Sequence, residues 1–481
     1  MEGLRDVMGT LWFKVGCSVA SVVLGYVIVK RLTRREKKIA PKDTVILYQI
    51  GRGPKAPSIS PFPLKLETYL RMAKIPYEND HTGKFSSKGK TPWMEYNGVV
   101  VADSQFCIEY LNKERGIDLN AHLTAEQKAI ARAFQKMTEE NLYWTMCYVT
   151  FGDDLTALYR VIPYKGLVRW LLSRLIRRNI QQEMWGHGIG RHAKDDILHI
   201  GFNDLNSLSD FLGCLDQNCS AVVEALAYFQ REKKIAPKDT VILYQIGRGP
   251  KAPSISPFPL KLETYLRMAK IPYENDHTGK FSSKGKTPWM EYNGVVVADS
   301  QFCIEYLNKE RGIDLNAHLT AEQKAIARAF QKMTEENLYW TMCYVTFGDD
   351  LTALYRVIPY KGLVRWLLSR LIRRNIQQEM WGHGIGRHAK DDILHIGFND
   401  LNSLSDFLGQ KPFLMGDEPC ETDCAIFGML AQVVWHMPNS PHEKWIKEEF
   451  PNLTEYCYRM KERFWPDWDE NITEPERKKM E

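Results

Sequence analysis

Apolar and polar positions follow two regimes along the chain, and each regime appears twice. The first is short-period. Residues 44–50 (TVILYQI) form an unbroken β-branched and apolar run stopped at Gly51, the pattern of a buried strand. After the loop RGPKAPSIS comes SPFPLKLETYLRMAK, where Ser60 fits the N-cap and Pro61 the first position of a helix. IPYEND predicts a short strand and HTGKFSSKGK a loop. TPWMEYNGVVVA predicts two strands joined at Asn97-Gly98, the dipeptide that tight hairpins favour. DSQFCIEYLNKERG predicts a helix opening on Asp103 or Ser104 and ending at Gly116. The order β-α-β then β-β-α is that of a thioredoxin-like half, residues 42–116.

The second regime is helical throughout. Thr124 with Gln127 has the spacing of a capping box ahead of AEQKAIARAFQKMTEENLYWTMCYV. GLVRWLLSRLIRRNIQQEMW and AKDDILHIGFNDLNSLSDFLG predict two further helices, giving a helical half over 124–213 that breaks off at Gly213. A linker over 214–230 follows. A second thioredoxin-like half then spans 238–312, and a helical half spans 320–465. That helical half continues through QKPFLMGDEPCETDCAIFGMLAQVVWHM and PNLTEYCYRMKERFW to a charged tail, 466–481, expected to be disordered.

The doubling is literal. Residues 35–213 and 231–409 are identical, an offset of 196. Exposed positions of old tandem domains drift, because most surface substitutions shift stability little. The repeat therefore reads either as a very recent duplication or as an exon set counted twice in a gene model or assembly, the latter favoured over a working double domain. The first copy lacks its last two helices and is expected to expose the surface they would cover, unless SAVVEALAYF fills in. The fold class is α+β.

Residues 10–29 (TLWFKVGCSVASVVLGYVIV) carry a single charge, Lys14, and are long enough to span about 30 Å of hydrocarbon. The basic flank KRLTRREKK after them predicts a single-pass anchor with everything that follows in the cytosol. Net charge is +5, too small over 481 residues to indicate a nucleic-acid partner. The ten cysteines form no CxxC pair, the usage of a reduced compartment. LVRWLLSRLIRRNI sets Arg169, Arg174, Arg177 and Arg178 among Leu171, Leu172, Leu175 and Ile176. This reads as a core helix with a solvated basic face, with a membrane-surface helix as the alternative. GKFSSKGKT fails as a phosphate loop because five residues separate its glycines and Pro92 bars the following helix. GHGIGRH reads as a turn between helices, and His187, His192 and His199 lack the neighbouring ligands of a metal site.

Several segments carry a family resemblance. SPFPLK sits where glutaredoxin-like glutathione transferases have a CPFC-type motif. KTPWMEYNG resembles their cis-proline segment, ADSQFCIEYL their γ-glutamyl motif, and MGDEPCETDCAIFGML the signature in which an Asp caps a core helix. With the anchor and MWGHGIGRH, the chain resembles the failed axon connections family, metaxin-like members of the glutathione S-transferase superfamily. The resemblance implies a glutathione site built from Pro288, Asp299 and Ser300, or Pro92, Asp103 and Ser104 in the first copy. Ser256 and Ser60 are the candidate thiol-stabilising residues, with Ser254 as an alternative. Tyr48 and Tyr244 are phenols in a doubtful register. Ser60 and Ser256 serve equally well as N-caps, and Asp299-Ser300 as a plain helix start. Where the signature carries a Ser or Thr cap this chain has Cys420, so the cap is expected to weaken or move to Thr422. The resemblance implies a membrane-anchored binding or adaptor protein with protein partners and a part in axonal development. A glutathione-dependent transferase and a metaxin-like component of the mitochondrial outer membrane are the alternatives.

Overall fold

The computed structural model describes residues 41–52, 56–58, 60–152, 166–213, 239–282, 284–348 and 362–474. The apolar segment 10–29 and the linker 214–230 lie outside them. Among the described residues no helix is long and apolar enough to cross a membrane. The chain divides into two compact units, Met1–Leu119 and Asn120–Glu481.

The first unit is the thioredoxin-like half of copy 1. Strand β1 (Val45–Tyr48) leads through helix α1 (Pro61–Met72) to β2 (Tyr77–Asp80), then β3 (Trp93–Tyr96), β4 (Val99–Ala102) and helix α2 (Ser104–Arg115). The sheet order is β2-β1-β3-β4, with β2 parallel to β1 and the other two pairings antiparallel. Strand alternation explains the fully apolar run. Val45 and Leu47 pack with Leu66, Leu70 and Leu111 of the helices, while Ile46 and Tyr48 pack with Trp93 on the opposite face. Asn97 and Gly98 both have positive φ (47° and 82°), as the two-residue hairpin turn requires. On the buried face of α1, Glu67 receives hydrogen bonds from Arg52, Gln49, Tyr77 and Arg71.

The second unit opens with the helices of copy 1: α3 (Ala125–Lys136), α4 (Tyr143–Phe151), α5 (Gly166–His187) and α6 (Lys194–Leu212). The capping box closes as the spacing predicts: Gln127 N–H donates to the Thr124 hydroxyl at 3.2 Å and Thr124 N–H to Gln127 Oε1 at 3.0 Å. A π-helical turn, Met137–Leu142, joins α3 to α4 and sets Asn141 against Asp204 of α6 at 2.6 Å. Copy 2 then repeats the sheet as β5 (Val241–Tyr244), α7 (Pro257–Met268), β6 (Tyr273–Asp276), β7 (Trp289–Tyr292), β8 (Val295–Ala298) and α8 (Ser300–Arg311). Its helical half runs α9 (Ala321–Met333), α10 (Tyr339–Phe347), α11 (Gly362–His383), α12 (Lys390–Leu408), α13 (Glu421–His436), α14 (Pro441–Glu448) and α15 (Pro451–Phe464).

Helix α13 is the axis of the second core. Thr422 to Val433 are all buried, and Phe427 and Leu430 join a cluster with Phe330, Leu404, Tyr456 and Trp465. The helix lies against α7 at Gly428, where a Cβ would come within 2.6 Å of the Pro257 carbonyl oxygen, so only glycine allows this approach. The cap stays at Cys420 rather than moving to Thr422, because Asp423 supplies it. The Asp423 carboxylate accepts from Cys420 N–H at 2.8 Å, Leu414 N–H at 2.9 Å and the Tyr456 hydroxyl at 2.9 Å. Disorder was expected from Pro466 onward, but residues through Glu474 are ordered. Trp468 is buried among Trp435, Trp465 and Phe427, and Thr473 N–H donates to the Gly249 carbonyl at 2.9 Å. Charge count predicts a solvated tail; one well-packed tryptophan outweighs it.

The helices of the two copies interlock. Helix α6 packs on α9 and α12 packs on α3, each helix thus reaching across to the other copy, while α5 pairs with α11. The contacts come in matched sets, as they must between identical sequences related by a near-two-fold axis. Arg132 pairs with the buried Asp400 and Arg328 with the buried Asp204; Arg191 pairs with Glu379 and Arg387 with Glu183. The axis passes between Gly186 and Gly382, beside His187 and His383, whose rings stack with centroids 5.2 Å apart. The helical part of copy 1 is thus built into the core of the second unit, with Ala133, Phe134 and Met137 in the cluster that holds Phe427.

Candidate functional site

Three sequence signals converge at the start of α8. Asp299 takes φ 92° and its carboxylate caps the helix, accepting from Gln301 N–H at 2.9 Å. Ser300 follows, buried, and the cis Thr287–Pro288 bond lies just ahead of β7. Pro288, Asp299 and Ser300 all line one cavity of about 140 Å³. The exposed amide groups at a helix start favour a ligand carboxylate.

The cavity is rich in charge. Its floor carries Lys332, held by Glu335 and Glu336 at 3.8 and 3.4 Å; its rim carries Lys284 and Lys286. Burial works to raise the Asp299 carboxyl, but His192, Lys261, the Gln301 amide and Lys284 outweigh it and hold it below the usual range. Burial raises Glu336. The site therefore offers ammonium groups to an anionic ligand and an ionised Asp299 to a cationic one.

Ser256 stands at the N-cap of α7, half-buried, with no capping hydrogen bond from its side chain, and it is not among the side chains that line the cavity. Ser254 is buried, and its hydroxyl accepts from Ser256 N–H at 3.2 Å. Tyr244 stacks flat on Trp289, ring centroids 3.7 Å apart, and burial raises its phenol. Cys303 and Cys343 are buried, and burial pushes the Cys343 thiol up to about 12. In the first unit the local geometry repeats. Asp103 caps α2 through Gln105 N–H at 2.8 Å, Ser104 is buried, Thr91–Pro92 is cis, and Ser60 stands at the N-cap of α1.

Sequence reading missed the wall facing α8. Gly188, Arg191, His192 and His199 of copy 1 line the same cavity. His192 Nδ1 lies 3.3 Å from Lys284 Nζ, and its Nε2 lies 4.0 Å from Asp299 Oδ2. His199 Nε2 lies 3.1 Å from Glu305 Oε2, a contact that raises its pKa. GHGIGRH forms the inter-helix turn its glycines suggest, with Gly188 at φ 110°. That it turns over the other copy's site has no local signal in the sequence.

Comparison with known proteins agrees with this architecture. The glutathione S-transferase N-terminal domain matches residues 61–156 and again 257–352, and the C-terminal domain matches 397–460; together these spans exceed half of the chain. Failed axon connections of Drosophila melanogaster is 36% identical over 262 residues, 51% of this chain and 63% of that protein, so the chain spans less than two thirds of that relative's length. Isoprene-epoxide–glutathione S-transferase of Rhodococcus sp. is 29% identical over 44% of this chain and 94% of that protein. Metaxin-2 of Mus musculus is 23% identical over 48% of this chain and 90% of that protein. With the doubled thioredoxin-like sheet and the Asp423-capped core helix, these matches show that the chain belongs to the glutathione S-transferase superfamily, in its metaxin-like branch with failed axon connections.

Proposed function

We propose that the chain is a transferase-like binding module: it holds a γ-glutamyl peptide of the glutathione type in the cavity at the start of α8 and acts mainly through its surfaces as an adaptor. The observation that carries this reading is the split between binding and activating groups. Pro288, Asp299 and Ser300 share the cavity, whereas Ser256 is not among its lining and Ser254 and Tyr244 are tied into other contacts. A transferase needs a donor that stabilises the attacking thiolate, and none of these three hydroxyls stands free in the cavity to serve, which favours binding over turnover. Residues 10–29 tether the module to a membrane with its folded part in the cytosol. The name of the Drosophila relative supports a part in axonal connection through protein partners.

Calorimetric titration of glutathione into the full chain tests the reading. Binding in the micromolar to low-millimolar range, lost in Ser300→Ala, supports it; no heat at millimolar glutathione removes it. The Rhodococcus relative favours an enzyme as the second reading. Conjugation of an epoxide by the full chain, abolished in Ser256→Ala, would establish that one instead. The likeness to metaxin-2 favours a metaxin-like role at the mitochondrial outer membrane, which imaging a fusion of residues 1–40 would separate from other membranes.

A further inference from the structure

Helix α5 shows two tryptophans to solvent. At about 100° per residue, Trp170, Arg174, Leu175, Arg178 and Trp185 fall within one arc of about 140°. All five are exposed, Trp170 by 41%, Leu175 by 49% and Trp185 by 58%. The other side of the helix is the packed one, where Met184 is buried with Trp144 and Ile197 and Ile180 lies against them. Helix α11 repeats the arrangement with Trp366, Arg370, Leu371, Arg374 and Trp381, all exposed. The charge here has one sign. From Gly166 to Gln182 there are four arginines and no acid, and the same holds from Gly362 to Gln378. Arg177 and Arg373 are tied to the Gly152 and Gly348 carbonyls, while Arg174 and Arg370 lie over the Trp170 and Trp366 rings at 4.3 Å.

A face that only met water would have no use for tryptophan, and large apolar side chains set together on a surface mark a contact. At the edge of a bilayer both residue types find their medium, the indole among the headgroups and the guanidinium on lipid phosphate. Among the described residues no helix is long and apolar enough to cross a membrane, so such a contact runs along the helix side. We infer that the outer face of α5, with its equivalent on α11, docks on an anionic bilayer. The tryptophans and Leu175 and Leu371 enter the headgroup layer, and Arg174, Arg178, Arg370 and Arg374 meet the lipid charges. The complementarity of charge selects anionic lipid over neutral lipid. The inference is argued from α5 and α11 alone and rests neither on the ligand site nor on the tether at residues 10–29.

The test reconstitutes the full chain into liposomes of phosphatidylcholine, alone or with about 30% phosphatidylserine, and uses brominated phosphatidylcholine to quench tryptophan fluorescence. Quenching is expected to be stronger with the anionic lipid, and the increment to shrink as salt is raised. Replacing Trp170, Trp185, Trp366 and Trp381 together by Phe should cut that increment at least about threefold. Arg174→Gln, Arg178→Gln, Arg370→Gln and Arg374→Gln together should do the same. Where the arginine set lowers the melting temperature, the salt dependence of the unaltered chain takes its place. Equal quenching in the two lipid mixtures overturns the membrane face, whatever Trp12 of the apolar segment contributes to both. An increment that survives either set of substitutions overturns it too. So does a mass in detergent micelles that doubles with concentration and reverts in the tryptophan set, which would assign the face to a second copy of the chain.

Discussion

Helices α6 and α12 have the same nineteen residues and lead different lives. Leu205 of α6 is 54% exposed and its counterpart Leu401 is fully buried; Leu212 is 69% exposed and Leu408 2%. The same split appears in α4 and α10, where Met146 is 55% exposed and Met342 4%. Nothing in these segments differs but their surroundings. Copy 2 continues into α13 and α15, which cover the apolar stripe; copy 1 ends its helical half at Gly213. An apolar stripe states that a face should be covered. What covers it is decided by whatever chain is near.

Four measurements would break or sharpen that contrast. The largest effect is expected for Asp423→Ala, which orphans the N–H groups of Cys420 and Leu414 in a dry core and leaves the Tyr456 hydroxyl only the backbone carbonyl of residue 423, at 3.1 Å. A loss of about 4 kcal/mol in urea titration, confined to the second unit, is expected. Wild-type stability would mean that the cap does not hold the core.

Next, Leu401→Ala should cost about 3 kcal/mol, while Leu205→Ala should cost well under 1. Equal costs would show that the exposed stripe of copy 1 is covered in solution. Gly428→Ala should cost about 2 kcal/mol by driving a methyl into the Pro257 carbonyl, loosening α7 from α13. Hydrogen exchange would report it as lost protection in those two helices.

For any single group, the smallest effect per step comes from pH. Burial pushes His187 and His442 down to about 3 and His436 to about 4, so the fold favours their neutral forms. That stability is complete above the ordinary histidine value near 6.5 and is lost as pH falls below it, by about 1.4 kcal/mol per pH unit for each histidine. In the first unit, burial works to raise Glu67, but hydrogen bonds from Arg52, Gln49, Tyr77 and Arg71 hold it down to about 2. Its contribution is present above the ordinary glutamate value near 4.5 and fades between there and about 2. Acid should therefore loosen the second unit first, and hydrogen exchange followed from pH 7 to 4 would show the order. Loosening of the first unit at pH 6 would contradict it.

Local signals carried much of the fold. A β-branched run, Asn97-Gly98, Ser60-Pro61 and the Thr124–Gln127 spacing each act over a few residues, where backbone preference and single hydrogen bonds decide the outcome. They were legible for that reason. The Asp299-Ser300 helix start was legible on the same terms, because an N-cap is a local device. The tail was misread because charge count says nothing of where Trp468 finds a pocket. The Cys420 cap was misread because the acceptor that matters is the carboxylate three residues on, not the cap side chain.

By itself, the sequence determined that there are two thioredoxin-like sheets and two runs of helices, and which residues open each helix. The period of apolar positions and the caps are written within one element. Only the tertiary structure decided that α6 lies on α9 and α12 on α3, that His192 rather than His388 faces Asp299, and that one of two identical leucines is dry. Identical segments have identical propensities, so no rule acting within a segment can tell them apart. Their differences arise from partners far away in the chain, and those partners are chosen by packing.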